Sequence, residues 1–226
     1  MVIKGVTKYW EDDVVKKLVS MLLAVLMVLA PVFAMAEAAS EVTYATYQNE
    51  TNGYAIDYPE TWSLLSKENV QSMIDSVASG ETKIEGMDPS VLETYKSQIE
   101  AMDMVMFMSA DGAVNANLTY QAVPMLYTSD ALISQMYPVA VQQFQSMFKD
   151  YTELAAPQVE TVGDKEFVET AGQYTLSGMS FIMLQAHHCT DKFLYTVTFT
   201  INTSLNPDMA AIDTVSSTML ESLVPA

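Results

Sequence analysis

The segment 52–62, Asn-Gly-Tyr-Ala-Ile-Asp-Tyr-Pro-Glu-Thr-Trp, sets the start of the fold. Within it, Tyr54–Tyr58 is typical of a β-strand, and Pro59 ends that strand because proline has no N–H to donate to a β-ladder. The preceding Val42–Tyr47 alternates between apolar and polar residues, and turn-forming residues at 49–53 separate the two strands. The sequence therefore predicts an N-terminal β-hairpin.

Capping residues and apolar spacing predict three helical stretches in the middle of the chain. Ser66 can cap a helix that ends at Gly80. A second helix starts at Asp88-Pro89 and occupies 88–102. The third covers 129–148, where Pro138 should kink or divide it, since proline removes one hydrogen bond of the helix.

Two further groups of strands follow from alternation and turn residues. Residues 105–123 predict a second hairpin around Asp111-Gly112. Residues 166–201 predict a three-stranded meander that turns at Ser177-Gly178 and again at 190–192.

The last predicted strand and helix close the fold. In Phe193–Ile201, apolar residues alternate with threonines at positions 196, 198 and 200, which predicts a strand with one buried face. Asn206-Pro207 is expected to cap and start a terminal helix with one apolar stripe.

The pattern from Gly53 to Trp62 resembles the opening hairpin of PsbP-like proteins, a family that includes the extrinsic photosystem II subunit and the Mog-type Ran-binding proteins. Residues 193–223 are similar to the closing strand and helix of that family. The resemblance implies an α+β fold, an α/β/α sandwich around a central antiparallel sheet, with Tyr58 and Trp62 in the core. It also implies a function in binding other macromolecules, and it transfers no functional residue.

A secretory signal peptide is predicted at the N-terminus. Lys16-Lys17 precede the apolar run Leu18–Ala34, which leads into a small-x-small site at Ala36. Cleavage after Ala36 is expected, with cleavage after Ala38 as the alternative. An uncleaved membrane anchor is a further alternative, although a span needs about 20 apolar residues and this run is barely long enough.

The predicted organisation is therefore a signal peptide at 1–36 and a single PsbP-like domain at 37–226. Three acidic residues at 11–13 do not suit the positive start of a signal peptide. This mismatch motivates the hypothesis that the start within residues 1–14 is wrong, with translation beginning at Val14 or Val15.

Composition excludes several classes of protein. The 226 residues include 28 acidic and 10 basic residues, which give a formal net charge of −18. Such an acidic chain, whose basic residues are all lysine, is an unsuitable partner for nucleic acid. The single cysteine, Cys189, rules out an internal disulfide.

A row of methionines is the first candidate for chemistry. Met104, Met106 and Met108 occupy every second position, so on a strand they share one face. Thioethers are soft ligands that suit Cu(I). The alternative is that they fill a core, because the chain has 17 methionines.

The second candidate is His187-His188-Cys189. On a strand, His187 and Cys189 share one face and His188 lies on the other. Two ligands do not complete a zinc site, and neighbouring residues of one strand do not form a Cys/His nucleophile pair. We expect a partly buried strand here.

These observations favour a secreted bacterial protein that binds a protein or cell-envelope component, is not an enzyme and needs no cofactor. The membrane is involved only through the signal segment before cleavage. Two alternatives are an extracellular copper-binding protein and a hydrolase whose site has no recognisable motif.

Overall fold

A large antiparallel sheet forms the centre of this computed structural model, which describes residues 42–79, 103–123, 125–148 and 150–225. The strands are β1 (Tyr44–Asn49), β2 (Tyr54–Pro59), β3 (Ser63–Leu65), β4 (Asp103–Met108), β5 (Val114–Ala122), β6 (Thr152–Val162), β7 (Lys165–Leu176), β8 (Met179–Cys189) and β9 (Phe193–Asn202). Seven of them form the sheet in the order β3-β4-β5-β9-β8-β7-β6, while β1 and β2 pair separately. The predicted second hairpin and the meander are thus confirmed.

The predicted N-terminal hairpin is also confirmed, because β1 and β2 pair antiparallel over their full length. Its turn closes through a hydrogen bond from the Gly53 N–H to the Asn49 carbonyl at 2.7 Å. Gly53 has a φ of 76°, a backbone conformation that favours glycine. Tyr54 and Ile56 of β2 are fully buried, so the hairpin is part of the core.

Tyr58 and Trp62 lie at the edge of the core and do not fill it. Both pack against the main apolar cluster but stay partly exposed. Tyr58 stacks on Phe107 with 4.8 Å between ring centroids. The centre of the core is occupied instead by Tyr54 and other residues of the sheet, which corrects the expectation drawn from the resemblance.

Among the described residues, the longer α-helices that flank the strands are α1 (Lys67–Ala78), α2 (Tyr137–Met147) and α3 (Met209–Ser222). The predicted start of α1 is confirmed, since the Ser66 hydroxyl accepts a hydrogen bond from the Asn69 N–H at 3.4 Å. Within the described ranges, no helix is long and apolar enough to cross a membrane.

Pro138 divides the helical stretch 129–148 as predicted. A short helical turn, Ser129–Ala131, leads into a π-helical turn, Leu132–Met136, and α2 follows. The Tyr137 N–H bonds to the Leu132 carbonyl, five residues back. Because Pro138 has no N–H to continue the ordinary helical ladder, the wider turn is accommodated at this point.

The terminal helix begins two residues later than expected. Asp208 caps α3, and its carboxylate accepts hydrogen bonds from the N–H groups of Ala210 at 3.0 Å and Ala211 at 3.2 Å. Asn206 instead ends a 3-10 turn, with a φ of 53°. The negative charge of the Asp208 cap at the helix N-terminus is also favoured by the helix dipole.

One face of the sheet, which we call the aromatic face, is covered by α3 and the β1–β2 hairpin. A single apolar cluster joins these elements. Its sheet residues include Val105, Phe107, Leu118, Phe167, Tyr195, Val197 and Phe199.

The segment 129–148 covers the opposite face. Leu132 packs with Val168 and Leu194, and Phe148 stacks on Tyr174 with 4.0 Å between ring centroids. The sheet therefore lies between two helical layers, which confirms the predicted α+β class and α/β/α arrangement.

The prediction that β9 has one buried face is wrong. The threonines at positions 196, 198 and 200 are 6%, 1% and 2% exposed, so the strand is buried on both faces. The reason is the second helical layer, which covers the face that the alternation assigned to solvent.

Some predictions concern residues outside the described ranges. These are the signal peptide at 1–36 with its cleavage sites and alternative start, the end of α1 at Gly80, and the helix over 88–102. Conversely, β6 was not predicted from the sequence.

Candidate functional site

The three methionines of the predicted ladder lie on the face of β4 opposite the aromatic face. Met104 is 2% exposed and Met106 is 1% exposed, whereas Met108 is partly exposed. Their neighbours across β5 are Thr119, Asn117 and Asn115 respectively. The ladder is therefore mostly buried among polar side chains.

His187 and Cys189 share that face but lie far from the methionines. Three inter-strand steps separate β4 from β8 in the sheet order. At about 4.8 Å per step, the two groups are roughly 14 Å apart. In the described ranges, no three His, Cys, Asp or Glu residues come together to hold a metal ion.

The Cys189 thiol is held in its protonated form. Its sulfur accepts a hydrogen bond from the Tyr127 N–H at 3.3 Å and donates to the Thr190 carbonyl at 3.2 Å. Burial raises the pKa of Cys189 and outweighs the opposing effect of the Tyr127 N–H. A protonated thiol is a poor nucleophile and a poor metal ligand.

His187 is kept neutral by its surroundings. Its Nδ1 lies 3.0 Å from the Thr196 hydroxyl, and desolvation lowers the pKa of His187 to about 4. His188 lies on the aromatic face as predicted, where its ring is 5.4 Å from that of Phe167. The two histidines therefore face opposite layers of the sandwich.

A cleft of about 190 Å³ opens on the aromatic face, between α3 and the strands β6, β7 and β8. Its walls are largely small or apolar, with Ala155, Ala156, Ala171, Ala186, Leu184, Phe199 and Leu220. Gln158, Glu169 and Ser216 supply the hydrogen-bonding side chains on this face. Thr170 and Gln185 also line the cleft, but their side chains lie on the opposite face of the sheet. The cleft thus combines an apolar lining with one carboxylate.

Glu169 gives the cleft its electrostatic character. Burial raises the pKa of this carboxyl, and the negative charges of Glu160 and Asp213 raise it further. An ionised carboxylate in this position is poorly solvated and repelled by its neighbours, so a cation would stabilise it.

The cleft lies beside an edge of the sheet that is free within the described ranges. Among the described strands, β6 is the last of the sheet and pairs only with β7. All its residues are exposed except Pro157 and Val162, which are half-buried. Leu154 and Val159 are 46% and 44% exposed, so this edge presents both backbone and apolar surface.

The opposite face of the sheet carries a second unusual surface, which we call the polar layer. Its residues lie on β5, β7, β8 and β9, and each is at most 8% exposed. They are Asn115, Asn117, Thr170, Gln185, Thr196, Thr198 and Thr200.

Sequence reasoning missed both of these surfaces. The sequence signal for β6 was weak, because apolar and polar residues do not alternate regularly in 152–162 and Pro157 interrupts the run, although proline is permitted at a sheet edge. No sequence signal placed Glu169 against α3, because that contact depends on tertiary packing.

No protein-family model matches the sequence, and no curated protein is similar to it. Among solved structures, the chain is similar to cyanobacterial PsbP from Synechocystis sp., with a TM-score of 0.53 at 10% sequence identity. That match covers 85% of this chain and 98% of the cyanobacterial protein. At this identity the match shows the fold, and the chain therefore has a PsbP-like fold.

Two other solved structures are similar at lower scores. A protein from Bacteroides thetaiotaomicron has a TM-score of 0.45 at 10% identity, with 80% of this chain and 48% of that protein covered, so this chain spans about half its length. LpqN, involved in cell envelope biogenesis of Mycobacterium tuberculosis, has a TM-score of 0.37 at 9% identity, with 82% and 93% covered.

Proposed function

We propose that this chain is a secreted, non-enzymatic accessory module that binds a protein partner along the free edge of β6. The observation that carries the proposal is the position of the Glu169 cleft directly beside an exposed strand whose outer edge pairs with no described strand. An extended segment of a partner would pair with the edge through main-chain hydrogen bonds, and one of its side chains would enter the cleft.

The chemistry of the cleft selects a basic side chain. Lysine and arginine have long aliphatic stems that suit a lining of alanines, and their charged ends would meet Glu169. Glu160 and Asp213 add negative charge nearby. We therefore expect the partner to present an extended segment with at least one lysine or arginine.

A second copy of this chain is a poor occupant. The chain carries a formal net charge of −18, and β6 itself carries Glu153 and Glu160. Two such edges would repel each other. The electrostatic interaction of this edge with a basic partner would instead be attractive.

The states of Cys189 and His187 support a role other than catalysis. The thiol is protonated and the imidazole is neutral and bonded to Thr196. The protonated thiol is a poor nucleophile, the lowered pKa of His187 makes its imidazole a weak base, and the two residues lie two positions apart on a single strand. The predicted signal segment supports secretion, and we propose that the partner is encountered outside the cytoplasm.

A photo-crosslinking experiment in the producing organism tests this function. A crosslinking amino acid at Gln158, which lines the cleft, should yield one recurrent adduct with a protein, identified by mass spectrometry. The same group at Ser217, exposed on α3, serves as the control. Equal adducts at both positions, or none at Gln158, would overturn the assignment of the edge.

Three variants sharpen the test. In an antiparallel ladder, hydrogen-bonded pairs alternate with pairs that are not hydrogen-bonded. Counted back from Val162, which flanks the two-residue turn, Val159 belongs to a pair that is not hydrogen-bonded. The Val159 N–H therefore points away from β7. Val159→Pro removes that donor and should abolish the adduct, whereas Val159→Thr keeps the donor and should retain it. Glu169→Gln should reduce the adduct severalfold because it removes the charge that attracts the basic side chain.

A further inference from the structure

The outer edge of β6 is regular over a short stretch only. β6 pairs with β7 in unbroken register from Gln158 to Val162, where the two-residue turn begins. On the other side of Gln158, Pro157 has no N–H to donate, and the register shifts between Ala155 and Gln158. A partner strand can therefore follow β6 in register only over residues 158–162.

Within this stretch, two residues turn their backbone groups away from β7. Val159 and Thr161 belong to pairs that are not hydrogen-bonded in the β6–β7 ladder, so their N–H and C=O groups point outward. The backbone groups of Gln158 and Glu160 bond to β7 instead. A strand that adds to the edge would bond to Val159 and Thr161, and it would place one residue across from Glu160 between them.

The side chains of this stretch alternate between the two faces of the sheet. Glu160 pairs with Phe167, which belongs to the apolar cluster of the aromatic face. Glu160 and Gln158 therefore lie on the aromatic face. Val159 lies between them on the opposite face and is 44% exposed. Three consecutive residues of an added strand would meet the two surfaces in turn, with the outer two on the aromatic face and the middle one beside Val159.

The aromatic face carries two carboxylates at this edge. Glu160 is exposed on β6, and Glu169 lies on β7 directly across from Gln158. The ion pair at this end of the sheet joins Lys165 to Asp164 at 3.1 Å and includes neither glutamate. Both carboxylates can therefore attract an incoming cation, and they do so at different positions along the edge.

We propose that the partner binds through three consecutive residues with the pattern basic–apolar–basic, added to β6 as an antiparallel strand. This inference rests on the function proposed above and specifies the partner of that site. In this orientation the first basic side chain lies across from Glu160, the apolar one across from Val159 and the second basic one across from Gln158. Antiparallel pairing matches the other pairs of the described sheet.

The two basic side chains need different reach. The first meets Glu160 directly, because side chains in cross-strand pairs that are not hydrogen-bonded lie close together. The second must extend towards Glu169, which is two inter-strand steps of about 4.8 Å from the added strand. The long aliphatic stem of lysine or arginine bridges part of this distance over the alanines of the cleft, and the Gln158 amide oxygen can accept a hydrogen bond from the charged end.

Two synthetic peptides of equal composition test the pattern. Both carry a fluorescein label and the flanks Ser-Thr and Thr-Ser, with Lys-Val-Lys in the centre of one and Lys-Lys-Val in the centre of the other. Their net charges are identical, so a general attraction to the acidic protein affects both equally. In fluorescence anisotropy with the mature protein, the Lys-Val-Lys peptide should bind at least about fivefold more tightly.

Two variants locate the carboxylates, and a third is the control. Glu160→Gln and Glu169→Gln each remove one negative charge and should weaken the Lys-Val-Lys peptide by about threefold or more. Asp191→Asn removes one negative charge from the exposed turn before β9 and should leave the affinity unchanged.

Charge reversal provides an independent check, because a variant that fails to fold would bind neither peptide. Glu160→Lys should bind a peptide with Glu-Val-Lys in the centre at least about fivefold more tightly than one with Lys-Val-Lys. The reversed order Lys-Val-Glu should give no such gain, since antiparallel addition places the first of the three residues across from position 160.

Equal affinities of the Lys-Val-Lys and Lys-Lys-Val peptides, or no binding of either at about 1 mM, would overturn the pattern. A failure of Glu-Val-Lys to restore binding to Glu160→Lys would do the same. If the crosslinking group at Gln158 still yields its protein adduct in these cases, the proposed function stands and only this inference fails. If no adduct forms and neither peptide binds, both fail.

Discussion

The side-chain amide of Asn49 donates to the carboxylate of Asp103 at 2.7 Å, although the two residues are 54 positions apart. Asn52 also donates to this carboxylate, and the Tyr54 hydroxyl does so at 3.3 Å. Asp103 is the first residue of β4. One carboxylate thus ties the turn of the N-terminal hairpin to the central sheet.

Replacing Asp103 should uncouple the hairpin from the sheet. Asp103→Ala leaves three donors without their acceptor, and we expect the free energy of unfolding to fall by about 2–3 kcal/mol in urea denaturation. Asp191→Ala, in the exposed turn before β9, is the matched control and should change stability by less than about 0.5 kcal/mol. An equal loss in the two variants would show that Asp103 has no special role.

The two large aromatic residues of the motif 52–62 should differ in importance. Tyr54 is fully buried, and Tyr54→Ala should cost about 3–5 kcal/mol. Trp62 stays partly exposed at the edge of the core, so Trp62→Ala should cost about 1–3 kcal/mol. Urea denaturation of both variants measures the difference. A larger loss for Trp62→Ala would contradict the observed packing.

The methionine ladder should behave as core. Replacing Met104, Met106 and Met108 together with leucine keeps the volume and hydrophobicity nearly constant, at a cost typically under about 1.5 kcal/mol per substitution. We expect neither the wild type nor the variant to retain Cu(I) against a competing chelator, as measured by mass spectrometry. Stoichiometric Cu(I) in the wild type that is lost in the leucine variant would make copper binding the leading function.

His187 should make the fold sensitive to acid. Its pKa is lowered from 6.5 to about 4 in the folded state, so the unfolded chain binds a proton more readily. Stability from this group is present above pH 6.5 and is lost as the pH falls through 4, by about 3 kcal/mol between neutral pH and pH 4.

Urea denaturation of His187→Gln across this pH range should show a shallower loss than the wild type. Ser217→Ala, on the exposed surface of α3, removes no titratable group; it is the control and should keep the wild-type slope. The raised pKa of Glu169 acts in the opposite direction, because protonation of this carboxyl as the pH falls stabilises the fold. The His187 measurement is therefore best made in the Glu169→Gln background.

Export should remove the N-terminal segment. We expect protein recovered outside the cell to lack residues 1–36, because the apolar run ends at a small-x-small site. Intact-mass measurement distinguishes cleavage after Ala36 from cleavage after Ala38. An uncleaved chain in the membrane fraction would instead indicate an anchored protein.

Local chemistry made the hairpins and helix starts predictable. Ser177-Gly178 forms the turn between β7 and β8 with positive φ at both residues, as two-residue hairpins require. Pro138 divides its helix because a missing N–H acts within a few residues. Even here the start of α3 moved to Asp208, since several consecutive polar residues could have capped it.

The Glu169 cleft and the polar layer were not predictable in the same way. Glu169 acquires its raised pKa because the fold buries its carboxyl and because β6 and α3 bring Glu160 and Asp213 near it. The polar layer is buried only because α2 and its neighbours cover one face of β9. The threonines on that face are typical of a face exposed to solvent. In both cases the chemistry arises from groups far apart in the chain.

The sequence by itself determined the strand periodicity, the turns and the alternation of apolar residues with threonines in β9. These features depend on alternation and backbone preference within a few residues. Only the tertiary structure decided that Thr198 and Thr200 are buried, that Asp103 holds the N-terminal hairpin, and that the methionines lie three strands from His187. The physical reason is that alternation distinguishes the two faces of a strand but does not encode which distant element covers each face.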